Sequence, residues 1–321
     1  MKRLLIALPL GLLGLLGLLL AYLHLALPAA GPVPQLTVDS TPERVARGSY
    51  LANHVLVCID CHSERDWSYY SGPLVDGSFG KGGERFGPEM DLPGTLYARN
   101  ITPAGIGDWT DGEIAHLITS GVNRDGQPIF PLMPYPAYNR LDPEDLHAII
   151  AYIRSLAPLQ NEVPQGELDF PVNLVVRTIP QPYPGNPAPA RSDTLAYGEY
   201  LTVVAACAEC HTPAEKGEKL PGMDLAGGFQ FVLPDGQKVR SANITPHATG
   251  IGSWSEETFV QRFKAYDTPQ AKRIPVARGQ ANTVMPWTMY AGMEIDDLKA
   301  IYAYLRTVKP IENKVERWPG L

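Results

Sequence analysis

Two Cys-x-x-Cys-His motifs carry the most specific chemistry in the sequence. The first spans residues 58–62 and the second residues 207–211 of a chain of 321 residues. Two thiols at this spacing can form thioether bonds with the two vinyl groups of a haem, and the histidine that follows is then carried beneath the iron. We therefore predict two covalently bound haem c groups. The residues predicted to hold them are the cysteines Cys58, Cys61, Cys207 and Cys210 and the axial histidines His62 and His211.

Three other uses of paired cysteines fit the sequence less well. A thioredoxin-like redox motif requires a single pair in a β-α-β setting, and neither condition is met. A zinc site of four cysteines usually closes a short loop, whereas about 145 residues separate the two pairs. A disulfide framework gives no reason for a histidine after each pair. We therefore expect all four cysteines to carry haem and no disulfide to form.

The chain contains an internal repeat with an offset of about 150 residues. Six blocks recur in the same order, and they include a Gly-x-Tyr-Leu block upstream of each haem motif. We infer that one domain has been duplicated, so that both halves bind the same cofactor. The paired blocks begin at Gly48 and Gly198, Cys58 and Cys207, Asn100 and Asn243, Gly105 and Gly250, Met133 and Met285, and Asp145 and Asp297.

Two methionines are predicted to be the sixth ligands of the irons. Met133 follows His62 by 71 residues, and Met285 follows His211 by 74 residues. Both precede a proline, an aromatic residue and the last helix of their half. A methionine sulfur opposite histidine raises the reduction potential of a haem, as electron carriers require.

The repeated Asn-Ile-Thr-Pro blocks suggest contacts to the haem propionates. Asn100 and Asn243 are predicted to donate hydrogen bonds to these carboxylates, and Arg99 and Arg240 are predicted to pair with them. The alternative is that the two asparagines cap their own loops, since asparagine side chains commonly bond the backbone two residues on.

The fold class is predicted to be mainly α, because helix start signals recur in both halves. Thr41-Pro42 opens the first helix, and Thr110 with Glu113 forms a capping box for the second. Asp142-Pro143 opens a third helix, in which the apolar residues fall on one face. Glycine-rich loops at 72–99 and 217–242 separate these helices and leave room for short hairpins.

Four regions follow from the repeat. The domains are predicted at 40–156 and 196–312, and the Pro-rich residues 157–195 between them form a semi-rigid extended linker. Residues 1–30 form an N-terminal membrane anchor or a signal sequence.

The N-terminal segment indicates export. An apolar run from Leu4 to Leu27 follows the basic residues Lys2 and Arg3. As a helix its 24 residues would extend about 36 Å, against a bilayer core of about 30 Å. We predict an uncleaved transmembrane helix over residues 4–27; a cleaved signal peptide is the alternative, although its apolar stretch is normally shorter. Either case places the remaining chain on the periplasmic side of the bacterial inner membrane.

Composition excludes two broad classes. The net charge of −7 argues against general nucleic-acid binding, which requires a basic excess. An apolar fraction of 45% excludes wholesale disorder.

One asymmetry separates the halves. The interval from tryptophan to methionine is 24 residues in the first half (Trp109 to Met133) and 31 residues in the second (Trp254 to Met285). The longer interval contains Lys272 and Arg273. This basic segment is either a docking patch for a negatively charged partner or an ordinary solvated surface.

Residues 45–156 and 196–308 resemble the cytochrome c subunits of bacterial membrane-bound dehydrogenases of the alcohol, gluconate and nicotinate type. The resemblance lies in the blocks Asn-Ile-Thr-Pro, Gly-Ile-Gly-x-Trp, Met-Pro-Tyr and Ala-Tyr-Ile-Arg. It implies two tandem class I-like cytochrome c domains, with His62 opposite Met133 and His211 opposite Met285. It also implies that a dehydrogenase catalytic subunit supplies electrons, which pass to a quinone or a terminal oxidase.

The expected function is that of a membrane-anchored dihaem electron carrier, and not of an enzyme. Histidine and methionine at both irons leave no position open for a substrate. The alternative is a dihaem enzyme of the peroxidase type, which would need one haem with an open side. A structural zinc protein is a third class, from which the colour of haem would distinguish the chain.

Overall fold

The N-terminal helix α1 spans Lys2–Leu25 in a computed structural model that describes residues 2–320 and their side chains from residue 9 onward. Within these residues, no helix is both long and apolar enough to cross a membrane. The prediction of an N-terminal transmembrane helix over residues 4–27 is therefore wrong.

The first half is mainly helical, as predicted. Thr41 caps the first of its helices by accepting a hydrogen bond from the Arg44 N–H, and a π-helical turn, Leu51–Val55, extends that helix toward the first haem motif. The capping box of Thr110 with Glu113 and the N-cap at Asp142 are confirmed. The helices are α2 (Pro42–Tyr50), α3 (Cys58–Cys61), α4 (Pro103–Ile106), α5 (Asp111–Ser120), α6 (Tyr135–Tyr138) and α7 (Pro143–Ser155).

The glycine-rich loop of the first half contains a short hairpin, and the linker adds a strand to it. Strand β1 (Arg85–Phe86) pairs antiparallel with β2 (Gly94–Tyr97), which pairs with β3 (Glu167–Leu168) from the linker. The linker also forms a short helix, α8 (Val172–Val175). Its Tyr183 hydroxyl donates to the carbonyl of Leu141 at 2.6 Å. The linker therefore packs along the first half.

Except for α4, which has no helical counterpart among the described residues, the second half repeats the helix order of the first. Its N-terminal and C-terminal helices correspond to α2 and α7. The elements are α9 (Thr194–Val204), α10 (Cys207–His211), β4 (Ala214–Glu215), β5 (Glu218–Lys219), β6 (Gln230–Val232), β7 (Lys238–Arg240), α11 (Glu256–Lys264), α12 (Trp287–Tyr290) and α13 (Ile295–Leu305).

In each half the first and last helices cross at a glycine. A Cβ atom on Gly48 of α2 would lie 1.8 Å from the carbonyl oxygen of Ala148 in α7. A Cβ atom on Gly198 of α9 would lie 2.0 Å from the carbonyl oxygen of Ala300 in α13. Both positions therefore require glycine, because only a residue without Cβ lets the backbones approach this closely.

The two halves are joined by a reciprocal pair of hydrogen bonds. The hydroxyl of Tyr50 donates to Asp297 at 2.7 Å, and the hydroxyl of Tyr200 donates to Asp145 at 2.7 Å. Each phenol oxygen also accepts the backbone N–H of the N-cap residue of the helix that it contacts. The two contacts are related by the sequence repeat. The halves therefore meet through equivalent surfaces, as the subunits of a symmetric dimer do.

This interface should weaken above about pH 10. Burial and the neighbouring aspartates raise the pKa of Tyr50 and of Tyr200 above the ordinary value. A raised pKa contributes stability that is fully present below the unfolded pKa of about 10 and is lost as the pH rises. Each tyrosine should therefore add about 1.4 kcal/mol per pH unit to the alkaline loss of stability. Urea unfolding at pH 9 to 11 measures this slope. An equal slope in a Tyr50→Phe/Tyr200→Phe variant would contradict the prediction.

Candidate functional site

Both haem motifs begin after a residue in the left-handed conformation. Val57 has a φ of 50° and Ala206 a φ of 54°, and each is the N-cap of the short helix that carries a motif. In each half, the left-handed residue separates the long N-terminal helix from the Cys-x-x-Cys-His segment. The backbone therefore has the same conformation before both motifs, although the residue at this position is valine in one half and alanine in the other.

The two motif histidines are oriented in the same way. The Nδ1 of His62 lies 2.7 Å from the carbonyl oxygen of Arg99, and the Nδ1 of His211 lies 2.7 Å from that of Ala242. Since a carbonyl only accepts, Nδ1 carries the proton and Nε2 has the free lone pair that binds a metal. Burial lowers the pKa of both histidines. Both side chains are therefore neutral and suited to bind iron.

The cysteines of the motifs are free thiols. Burial raises the pKa of Cys58 and of Cys207 to about 12. These two thiols are therefore protonated at neutral pH, and the structure gives them no other bonding partner within the described chain.

In each half a buried tyrosine bonds the backbone just before the haem motif. Tyr138 donates to the Leu56 carbonyl and Tyr290 to the Ala205 carbonyl, both at 3.2 Å. Burial raises the pKa of both hydroxyls, with smaller contributions from cysteines of both motifs. Cys58 and Cys207 also pack against the same apolar core, so the two Cys-x-x-Cys-His segments share one core.

The predicted methionine ligands occupy equivalent turns. Met133 and Met285 are half-buried and pack against the shared apolar core. The Met133 carbonyl accepts the N–H of Tyr135 at 2.7 Å, and the Met285 carbonyl accepts that of Trp287 at 2.8 Å. These tight turns lead directly into α6 and α12. The structure thus gives both methionines the same backbone setting, and their ligation of iron remains a prediction.

Unsatisfied polar atoms indicate where a bound group fits. The hydroxyl of Tyr135 and the Nε1 of Trp287 are buried without a hydrogen-bond partner among the described residues, and so is the Nε of Arg317. Buried polar atoms in proteins nearly always have a partner. Tyr135 and Trp287 directly follow the two Met-Pro pairs. The residues beside the methionines therefore fit a cofactor with polar substituents, as haem has.

The two asparagines cap their loops in the structure. The Oδ1 of Asn100 accepts from the N–H and the hydroxyl of Thr102 at 3.0 and 2.7 Å. The Oδ1 of Asn243 accepts from the same groups of Thr245 at 2.9 and 2.8 Å. Each Nδ2 also donates to a backbone carbonyl at 2.8 Å. These contacts are those of the loop-capping alternative. A bond from either asparagine to a propionate remains a prediction.

The two arginines beside them also have protein partners. Arg99 donates to the carbonyls of Val163 and Pro164 at 3.1 and 3.0 Å, which attaches the linker to the first half. Arg240 donates to the Oε1 of Gln230 at 3.3 Å. Neither side chain is brought to the motif histidine of its own half by a contact in the structure. Their pairing with propionates likewise remains a prediction.

Sequence reasoning missed two residues near the second site. The charge of Arg317 contributes to lowering the pKa of His211. Arg317 follows the predicted domain end at 312, and no repeat points to it. Ser71 donates to the carbonyl of Met285 from the other half of the molecule. It lies outside the six repeated sequence blocks.

Comparisons with known proteins show similarity to cytochromes c. Residues 195–309 match the model of the cytochrome c family. The chain is 29% identical over 298 residues to the cytochrome c subunit of alcohol dehydrogenase (quinone) from Gluconacetobacter polyoxogenes, covering 88% of this chain and 59% of that protein. It is 30% identical over 298 residues to the fructose dehydrogenase cytochrome subunit of Gluconobacter japonicus, covering 87% and 55%.

A shorter relative is covered more completely. The chain is 28% identical over 265 residues to a diheme cytochrome c-type protein of Cereibacter sphaeroides, covering 79% of this chain and 83% of that protein. The chain thus spans less than two thirds of the two dehydrogenase subunits and most of the protein named for two haems.

Proposed function

We propose that this protein is a dihaem electron carrier. Residues 195–309 match the cytochrome c family model, and 87–88% of the chain is similar to cytochrome c subunits of dehydrogenases. The protein transfers electrons and is not itself a catalyst. The observation that carries the proposal is the equivalence of its two sites. Both have a left-handed residue before the motif, a histidine held through Nδ1, and a methionine in the same turn.

In this proposal the chain binds two haem c groups. Cys58 and Cys61 hold the first, and Cys207 and Cys210 hold the second. When bound, each haem supplies an iron that accepts and releases one electron. The protein orients the ring of each axial histidine through the Nδ1 bond to a backbone carbonyl, which leaves Nε2 for the iron. Met133 and Met285 complete the two sets of ligands and favour a high reduction potential.

The upstream and downstream partners follow from the relatives. The chain is similar to cytochrome subunits of alcohol and fructose dehydrogenases. We infer that a dehydrogenase catalytic subunit reduces one haem and that a quinone or a terminal oxidase takes the electron from the other. The apolar core that the two motifs share supports direct transfer between the haems. The haem domains then face the periplasm, because c-type haem is attached outside the cytoplasm.

The proposal is tested by the long-wavelength absorption band of a methionine bound to ferric haem. The wild type should contain two haems per chain and show the band at full strength. Met133→Ala and Met285→Ala should each reduce it to about half, because each removes one of two sulfur ligands. Met90→Ala is the control, since Met90 ends a 3-10 turn and has no counterpart in the repeat.

Two results would contradict the proposal. A wild-type band of half strength would mean that one iron lacks methionine, and it would favour the dihaem enzyme of the peroxidase type. A full band that survives either substitution would show that the sulfur ligands are assigned wrongly.

A further inference from the structure

A serine of the first half binds the backbone of the predicted methionine ligand of the second half. The hydroxyl of Ser71 donates to the carbonyl of Met285 at 2.6 Å and accepts the N–H of Trp287 at 3.0 Å. Ser71 is completely buried, with 0% of its surface exposed. One hydroxyl therefore fixes both ends of the Met-Pro-Trp turn.

Ser71 is itself held in place from both halves. Its N–H donates to the Oδ1 of Asn282 at 2.9 Å, and its carbonyl accepts from Arg65 at 3.0 Å. Asn282, which is also buried, donates from Nδ2 to the carbonyls of Trp67 and Tyr69 at 3.3 Å. The backbone of Ser71 is left-handed, with a φ of 69°. The position of the hydroxyl is thus set by the structure around it.

The extra length of the second half makes this contact. Tyr70 N–H donates to the Ile274 carbonyl, and Val276 N–H donates to the Ser68 carbonyl, both at 2.8 Å. Arg273 pairs with Asp76 of the first half at 3.0 Å. The segment from 271 to 284 is therefore docked on the loop 66–72 of the first half. Arg273, one of the two basic residues that suggested a docking patch, is thus paired within the molecule.

The first site has no equivalent support. Among the described residues, the Met133 carbonyl accepts only the N–H of Tyr135, and no hydroxyl from the second half reaches it. The arrangement is therefore one-directional, since the first half holds the methionine turn of the second.

We propose that Ser71 is a positioning residue for Met285, so that the strength of the Met285–iron bond depends on the first domain. The proposal rests on the proposed function, because it requires Met285 to be a haem ligand. The turn is restrained at the carbonyl of Met285 itself and at the N–H two residues on. Loss of the hydroxyl leaves both groups buried without this partner, and the turn can then move away from the iron.

The test is a titration of the ferric protein with imidazole, which competes with methionine for the iron. In Ser71→Ala, imidazole should bind about tenfold more tightly at one haem and unchanged at the other, because one lost buried hydrogen bond is worth about a factor of ten. Alanine keeps the Cβ at the left-handed position, so only the hydroxyl is removed. Ser78→Ala is the matched control: Ser78 is 1% exposed in the same loop, but its hydroxyl donates to Val75 of its own half.

The outcomes separate this proposal from the proposed function. A wild-type titration that shows two methionine-bound haems, with an unchanged Ser71→Ala titration, overturns the role of Ser71 alone. A wild-type protein whose long-wavelength band has only half strength overturns both the role of Ser71 and the proposed function. Equal tightening at both haems also overturns the role, since it indicates general destabilisation. Asn282→Ala should weaken the same haem as Ser71→Ala, and it provides a second variant if Ser71→Ala does not fold.

Discussion

Gly48→Ala and Gly198→Ala should each destabilise the protein by at least about 3 kcal/mol, the upper part of the range for overpacked cores. The added methyl carbon would lie 1.8 or 2.0 Å from a backbone carbonyl oxygen of the opposite helix. A backbone atom in a helix cannot rotate away as a side chain can, so the two helices must separate. Because a domain is stable by only about 5–15 kcal/mol, this is a large share of the total.

Thermal or urea unfolding of the haem-loaded protein measures this loss. Glu199→Ala is the control, because Glu199 is adjacent to Gly198 on the same helix and exposed. That variant should unfold like the wild type, since exposed substitutions rarely change stability by more than about 0.5 kcal/mol. A change below about 1 kcal/mol in either glycine variant would contradict the close helix crossing.

The repeat in the sequence located many of these residues without showing what they do. Gly48 and Tyr50 recur as Gly198 and Tyr200 within one short block. The glycines touch a helix about 100 residues away in each half, and the tyrosines touch aspartates of the opposite half. Short-range patterns predict where helices begin, as Thr110 and Asp142 show. They contain no information on which distant backbone a residue meets.

Two features were beyond prediction for different reasons. Ser71 and Asn282 lie outside the six repeated sequence blocks, so the repeat gave no signal for their contact. The sequence identified the asparagines of the Asn-Ile-Thr-Pro blocks as candidates, but a propionate contact and a loop cap were equally compatible with asparagine. Only the geometry showed Oδ1 bonded to the following threonine in both halves. The apolar N-terminal run predicted a helix, which is present, but its membrane span was wrong.

Arg65→Met should destabilise the protein by about 3–5 kcal/mol, the usual effect of removing one partner of a buried ion pair. The Arg65 and Asp60 side chains are 8% and 4% exposed, and Nη1 lies 3.2 Å from Oδ2. Burial raises the pKa of Asp60, and the charge of Arg65 opposes this. Without the guanidinium, Asp60 must be either charged and buried without its cation or protonated. Methionine preserves the apolar stem, so the change removes the charge and the hydrogen bonds of the guanidinium.

Asp60→Asn combined with Arg65→Met tests whether the buried charge is the cause. If it is, the double variant should recover part of the loss, because replacing both partners of a buried pair is far less damaging than removing one. Arg65 also donates to the carbonyls of Ser71 and Gly72 at 3.0 and 3.1 Å. The part of the stability that is not recovered therefore measures how strongly Arg65 supports the loop that holds Met285.

Arg273→Met is the control, since the Arg273–Asp76 pair is exposed on both sides and its loss should leave stability unchanged. No recovery at all in the double variant would show that loop support, and not the charge of Asp60, is what Arg65 provides.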